Sequence, residues 1–499
     1  MLEFQITRRS PLEGAADLLV VPVTGRPSAN DPLLGPLGKA LRVDLADLAR
    51  RELFEGKPDQ QLWVSGSGGA PARRVLLVGV DPSAAAYLRL RTFATLAVRG
   101  AVAHNLRRVS MRLPDVGSLD ASGWAEAVFV GAETGAYRFS AYLTGERKPR
   151  AAVESVRICV PSTVKVPPRR TLDEAVRRAR AAADAVRTVR DWVNEPANVM
   201  TPTLLARRAV ELARGAGLEV AVWGPAEIRR RGMRLLAAVG AGSREPVRFI
   251  RLRYRPRKPS GRRIAVIGKG LTFDAGGLCI KQPKGMQDMK CDMAGGATMI
   301  ALMGAVAARR PPHEVIALVP ATENMTGAGA MRPGDVVRSL GGKTVEIVNT
   351  DAEGRLILAD AFGYALTLKP SAIVDFATLT GACMVALGPY RAGVFSSSDD
   401  EAGRFLRAAA VTGEQFWRLP LADDIKDYLK SDVADVKNVG EQHGGAIVAG
   451  LFLQHFVGSV PWIHVDVAGP AFLDRAAPYA PKGGTGFGIP TLLRYIEQA

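Results

Sequence analysis

The chain has 499 residues, 47% of them hydrophobic, which is more than one ordinary core accommodates and predicts two domains. Its four cysteines are scattered without CxxC pairing, which excludes a disulfide framework and fits a reducing compartment. A net charge of +17 leaves polyanions open as partners, although much of it is arginine in a chain rich in Ala, Gly and Arg, so compositional drift also explains it. The N-terminal MLEFQITRRSPLEGAADLLVV places charge and proline where a signal peptide needs an apolar run. No uninterrupted apolar stretch reads as long enough to span a bilayer, so a cytoplasmic protein without a membrane partner is expected.

Residues 1–165 read as an N-terminal α/β domain. RRVLLVGV (73–80) is a buried strand, Ala84 to Leu106 is helical, and SVRICVP (155–161) is a further strand. No phosphate loop or other catalytic motif stands in this part. Residues 166–193 form a connecting helix, in which Thr171 and Glu174 predict a capping box. Residues 194–499 form a second domain, with a mixed sheet covered by helices on both faces. IAVIGKG (264–270), VIALVPA (315–321), TVEIVNT (344–350), AIVDFATLT (372–380) and WIHVDVAG (462–469) are its continuous apolar strands, and GATMIALMGAVAARR (296–310) is a helix stopped by Pro311. Ligands of such sheets sit at the carboxyl ends of the strands.

The chemistry-bearing residues fall at those ends. GKGLTFDAGGLCIKQPKGMQDMKCDMAGGA (268–297) holds Lys269, Asp274, Lys281 and Asp292 in glycine-rich loops, and NTDAEGRLILAD (349–360) presents Asp351, Glu353 and Arg355 where a strand runs into a helix. Taken singly, each acid could be a helix cap. Four carboxylates converging on one edge would repel one another, and divalent cations between them are the simplest remedy. Two cations suit the ligand count better than one, because carboxylates can bridge them. With five histidines and no HExxH, a mononuclear zinc protease site is excluded. Oxygen-rich ligation suits Mn2+, Mg2+ or Zn2+. A lysine among the ligands would have to be neutral.

These segments resemble the leucine aminopeptidase (cytosol aminopeptidase) family. NTDAEGRL is that family's signature octapeptide, and GKGLTFDAGG, KCDMAGGA, ATENM with MRPGDV, DFATLTGAC, and DVADVKN with HGGAIVAGLFL resemble further blocks, almost continuously from Asn194 onward. The resemblance implies a metal-dependent aminopeptidase that releases Leu and other residues from peptides with a free N-terminus, by attack of a hydroxide bridging two ions, Mn2+ or Zn2+. It implies Asp274 and Glu353 as ligands to both metals, Lys269 and Asp292 to one, and Asp351 to the other. Lys281 and Arg355 match the two catalytic side chains, with bicarbonate held at Arg355. Leu379 would bind substrate through its backbone, and Met289, Thr378, Gly381, Ala468 and Ala471 match the pocket for the first side chain. A small residue at Ala471 would widen that pocket. A homohexamer is implied as well.

The second reading is a DNA-binding or regulatory protein with secondary peptidase activity. It rests on RFIRLRYRPRKPSGRR (248–263), where seven Arg and one Lys stand without an acid and Arg251, Arg253 and Arg255 share a strand face. EIRRRGMR (227–234) adds to it. The preferred account of the same residues is a solvated edge strand whose charges oppose aggregation. The five histidines read as structural, and Cys279 and Cys291 as small apolar residues beside the site.

Overall fold

The computed structural model describes residues 2–66, 70–147, 152–259 and 261–499. The chain divides into two compact units within the helix Arg169–Asn194. The first comprises Met1–Ala183 with Val411–Gly413 and Arg475–Pro481, so two short segments from the C-terminal part belong to it. The second comprises Asp184–Ala410, Glu414–Asp474 and Lys482–Ala499.

The first unit is built on a six-stranded sheet. The strand Ala16–Val23 lies near its middle, between Arg108–Arg112 on one side and Ala72–Gly79 on the other. Beyond Arg108–Arg112 lie Ser155–Cys159 and then Glu3–Thr7 at the edge, all parallel. Gln61–Ser65 closes the opposite edge as the antiparallel member. Leu18, Leu19 and Val20 are fully buried, as expected of a strand covered on both faces. The helix Ala86–Ala103 is packed along most of its length and shares one layer with Ala121–Ala136.

The second unit carries a nine-stranded mixed sheet. Its parallel centre is Glu314–Asn324, Arg263–Gly268, Ala372–Ala377 and Trp462–Asp466, in that spatial order. Every residue of the last two strands is buried. Arg248–Tyr254 and Glu219–Trp223 extend the sheet antiparallel at one end, Ala392–Ser396 and Phe416–Arg418 at the other. Gly270–Asp274 adds to the carboxyl end of Glu314–Asn324. The helices Ala294–Arg309 and Gly354–Thr367 cover the sheet with almost wholly buried surfaces.

Four expectations change. TVEIVNT contributes only Thr344–Glu346, which pairs in a separate three-stranded sheet with Val336–Arg338 and Val436–Lys437. The connecting helix begins at Arg169, and Leu172 N–H already bonds Pro168 O, so Thr171 lies inside the helix and cannot cap it. Arg248–Tyr254 is second from the edge and hydrogen-bonded on both sides, not an edge strand. The stretch Pro283–Arg309 is long and apolar enough to cross a membrane by length and composition; 83% of its apolar window is buried inside the protein, the condition of a core helix.

Candidate metal centre and substrate cavity

The parallel strands end together, and the site is built where they end. Phe376 stands opposite Gly268, and Ala377 opposite Asp466, so Lys269, Thr378 and Asp466 emerge side by side. Gly295 lets the following helix approach that edge; a Cβ there would lie 2.1 Å from Phe376 O. Gly354 opens the helix of the NTDAEGRL segment against Lys269, and a Cβ on it would stand 2.7 Å from the lysine Nζ. Alanine there would displace the end of the Lys269 side chain, which is the physical content of that glycine.

Two lysines bind four acids. Lys269 Nζ lies 2.8 Å from Asp292 Oδ2 and 2.9 Å from Glu353 Oε1, and donates to Thr378 O at 3.0 Å. Lys281 Nζ lies 2.8 Å from Asp274 Oδ2 and 2.5 Å from Asp351 Oδ1. Lys269, Asp274, Asp292 and Glu353 are all at most 4% exposed. Burial opposes the charge on Lys269, yet Asp292, Glu353 and Asp274 outweigh it and raise its pKa. Lys281 is raised in the same way, chiefly by Asp274 against its burial. Burial pushes the Glu353 carboxyl up to about 8, with the Asp274 charge adding to it. Asp292 and Asp351 are raised by burial and by Asp274. Negative charge is therefore in excess of what the lysines neutralise.

The donor set fits divalent cations. Asp274, Asp351 and Glu353 each offer an oxygen within 4.8 Å of the others. Glu353 Oε2 is buried with no partner among the described residues, a costly state for a carboxylate unless a cation is there to meet it. Oxygen donors from one compact cluster suit a hard or borderline dication. Lys269 Nζ, as an ammonium, stands where a neutral amine could ligate.

Neighbouring groups orient these acids. Asn324 Nδ2 and Gly276 N–H both donate to Asp274 Oδ1 at 2.9 Å, and Thr378 Oγ1 donates to Asp292 Oδ1 at 2.6 Å. Asn349 Oδ1 accepts from Asp351 N–H at 2.8 Å. Such outer partners fix which lone pair faces a metal.

A cavity of about 380 Å3 opens over the cluster. Lys269, Asp274, Lys281, Asp292, Asp351, Glu353 and Arg355 line it, with Met289, Thr378, Leu379, Gly381 and Ala468. Ala471 is not on that lining: it is buried in the turn after Trp462–Asp466, its N–H bonded to Val467 O and its carbonyl accepting from Thr485. Met384 and Met286 line the cavity without having been singled out, and Cys291 lines it as expected of a residue beside the site. Arg355 is buried, which pulls its pKa down to about 10; NH1 donates to Asn438 O at 2.7 Å and Nε has no partner among the described residues.

Asp466 is a further residue that the sequence gave no reason to select. It is 1% exposed. Its Oδ1 accepts from Leu379 N–H and Ala468 N–H, both at 3.1 Å, and its Oδ2 from Thr380 Oγ1 at 2.7 Å. One carboxylate thus ties together two loops that line the cavity. Behind it, His464 Nδ1 lies 2.7 Å from Asp375 Oδ1, so this histidine is structural, as expected.

The basic strand is spent on internal partners. Arg251 donates to the Tyr364 hydroxyl, Arg253 pairs with Glu314, and Arg255 with Glu219. In EIRRRGMR, Arg230 and Arg231 pair with Glu227, and Arg231 covers the Trp223 ring at 3.8 Å. The DNA-binding reading gains no support from these residues.

A mixed α/β sheet with a buried carboxylate–lysine cluster at its strand ends, under a cavity open to a ligand, offers a site for divalent cations. The catalytic-domain model of the cytosol aminopeptidase family matches residues 187–493, and the model of that family's N-terminal domain matches residues 20–146, so the likeness extends into the first unit as well. The chain is 40% identical over 499 residues to a probable cytosol aminopeptidase of Geobacter sp. (strain M21), covering 100% of both. It is 42% identical over 495 residues to one of Solibacter usitatus, covering 98% of each. Among solved structures, a tomato leucine aminopeptidase point mutant superposes with a TM-score of 0.90 at 33% identity, over 100% of this chain and 97% of that one. The bottromycin maturation enzyme BotP in complex with Mn gives 0.83 at 35% identity, over 97% and 99%. The chain belongs to the cytosol aminopeptidase family and is an aminopeptidase.

Proposed function

We propose that the enzyme releases single N-terminal amino acids, Leu among others, from peptides with a free α-amine, using two divalent cations held at the carboxylate–lysine cluster. The observation that carries this is the excess of buried carboxylate around Lys269 and Lys281, with Glu353 Oε2 left without a partner. Asp274 and Glu353 would hold both cations, Lys269 and Asp292 one, and Asp351 the other. When bound, the pair supplies an acidified water and Lewis-acid polarisation of the scissile carbonyl.

The remaining work falls to the chain's own groups. Lys281 is half-buried and cationic, suited to meeting the oxyanion that develops on the carbonyl. Arg355 lines the cavity with its Nε unpartnered among the described residues and can grip a small planar anion such as bicarbonate, which would pass a proton toward the leaving amine. The Leu379 backbone, fixed by Asp466, can align the substrate, and Met289, Met384 and Ala468 offer a mainly apolar wall for its first side chain. Mn2+ and Zn2+ both suit the donors. A homohexamer and a cytoplasmic location belong to the same proposal, the first checked by light scattering on the purified protein and the second by cell fractionation.

The test is hydrolysis of aminoacyl amides and dipeptides by metal-reconstituted enzyme beside Asp351→Asn and Lys281→Ala. Wild type should cleave free but not N-acetylated peptides, and Lys281→Ala should lose about 10²–10³ in kcat. Equal activity of wild type and Asp351→Asn would remove the proposed site.

A further inference from the structure

The first unit holds a cavity of about 370 Å3, within the ~300–1,000 Å3 range of small-molecule sites. Its place in the sheet is specific. The connection leaving Ala16–Val23 turns toward Ala72–Gly79, whereas the one leaving Arg108–Arg112 turns toward Ser155–Cys159. These two strands are neighbours and parallel, so the chain's winding reverses between them. In an open α/β sheet the crevice outside the carboxyl ends at such a reversal is where ligands bind. The cavity is lined by Val21, Pro22 and Thr24 from the end of one strand and by Arg112 through Asp115 from the end of the other.

Its side chains favour an anion. Arg112 is half-buried on the cavity wall and makes no side-chain hydrogen bond or ion pair among the described residues. The two acids that line the cavity are already engaged: Asp31 accepts from Leu33 and Leu34 N–H, and Asp115 accepts from Arg89. Arg89, 8% exposed, is held on the wall by Pro82 O and Asp115, and its Nε has no partner among the described residues. Thr24 and Thr163 add hydroxyls at the rim, and Leu33, Val80, Pro114 and Pro161 supply apolar walls. Two guanidinium groups and two hydroxyls on one lining suit an oxyanion, and the apolar walls suit a ring or chain attached to it.

We propose that this crevice binds a small phosphorylated molecule of nucleoside monophosphate size, with the phosphate on Arg112. The site is separate from the metal centre and asks nothing of the peptidase residues.

Calorimetric titration of the full-length enzyme with adenosine 5′-monophosphate, adenosine and inorganic phosphate tests it. Adenosine monophosphate should bind, with adenosine and phosphate each at least tenfold weaker. Arg112→Ala should weaken the nucleotide at least tenfold while leaving peptide hydrolysis unchanged, which also reports that the variant is folded. Thr163→Val should weaken it less. Absence of nucleotide binding at millimolar concentration overturns the proposal. So does binding that Arg112→Ala does not alter, the result expected if the phosphate sits on the metals instead.

Discussion

At the scale of single residues, the site is decided by contacts too close for alternatives. Gly354 touches Lys269, so Gly354→Ala must push that side chain off Asp292 and Glu353. Overpacking of this kind costs about 1–3 kcal/mol. The account predicts a small loss in thermal stability and a large loss in metal affinity, both readable by calorimetry. Asp466 acts at one remove. Asp466→Ala leaves the Leu379 and Ala468 N–H groups and the Thr380 hydroxyl without their acceptor. Loops displaced by a fraction of an ångström should cost about 10²-fold in kcat/KM while metal content stays unchanged. The cluster of acids and lysines was legible in the sequence because so much charge stands among glycines at strand ends, and the ligand roles came only from the family resemblance. Asp466 was not: a lone aspartate ending a strand carries no mark of the loop at Leu379 and Thr380 that it holds, 87 and 86 residues away in sequence.

At the scale of elements, buried charge shapes how the catalytic unit responds to pH. Asp360 lies inside the helix Gly354–Thr367, fully buried, and accepts from Leu236 N–H at 2.9 Å and Leu340 N–H at 2.7 Å. Burial pushes its carboxyl from 3.8 up to about 7, against the pull of those hydrogen bonds. Between these values the unfolded chain gives up this proton and the folded chain keeps it. Stability from this group therefore falls as pH rises from about 4 to about 7, by at most about 1.4 kcal/mol per pH unit. Denaturant titrations across that window should show the slope in wild type and a flatter one in Asp360→Asn. The continuous apolar strands of the sheet were readable because both faces are covered. TVEIVNT was misplaced because apolar content says that a segment is buried but not which sheet it joins.

At the scale of the whole molecule, the +17 charge is the excess of 66 Lys and Arg over 49 Asp and Glu. Arginines that look like a polyanion stripe in the sequence are tied to Tyr364, Glu314 and Glu219. Arg253→Ala should accordingly lower stability by about 2 kcal/mol in chemical denaturation and leave the affinity for duplex DNA unchanged. The division into two units was foreseen from length, whereas the return of Val411–Gly413 and Arg475–Pro481 to the first unit was not, since short connecting segments carry no pattern of their own. The claim on which the enzyme's chemistry rests is that cations balance the acids around Lys269. Anomalous diffraction from manganese-loaded crystals tests it most directly. The account predicts two peaks enclosed by Lys269, Asp274, Asp292, Asp351 and Glu353; crystals of peptide-cleaving enzyme with no peak in that cluster would contradict it.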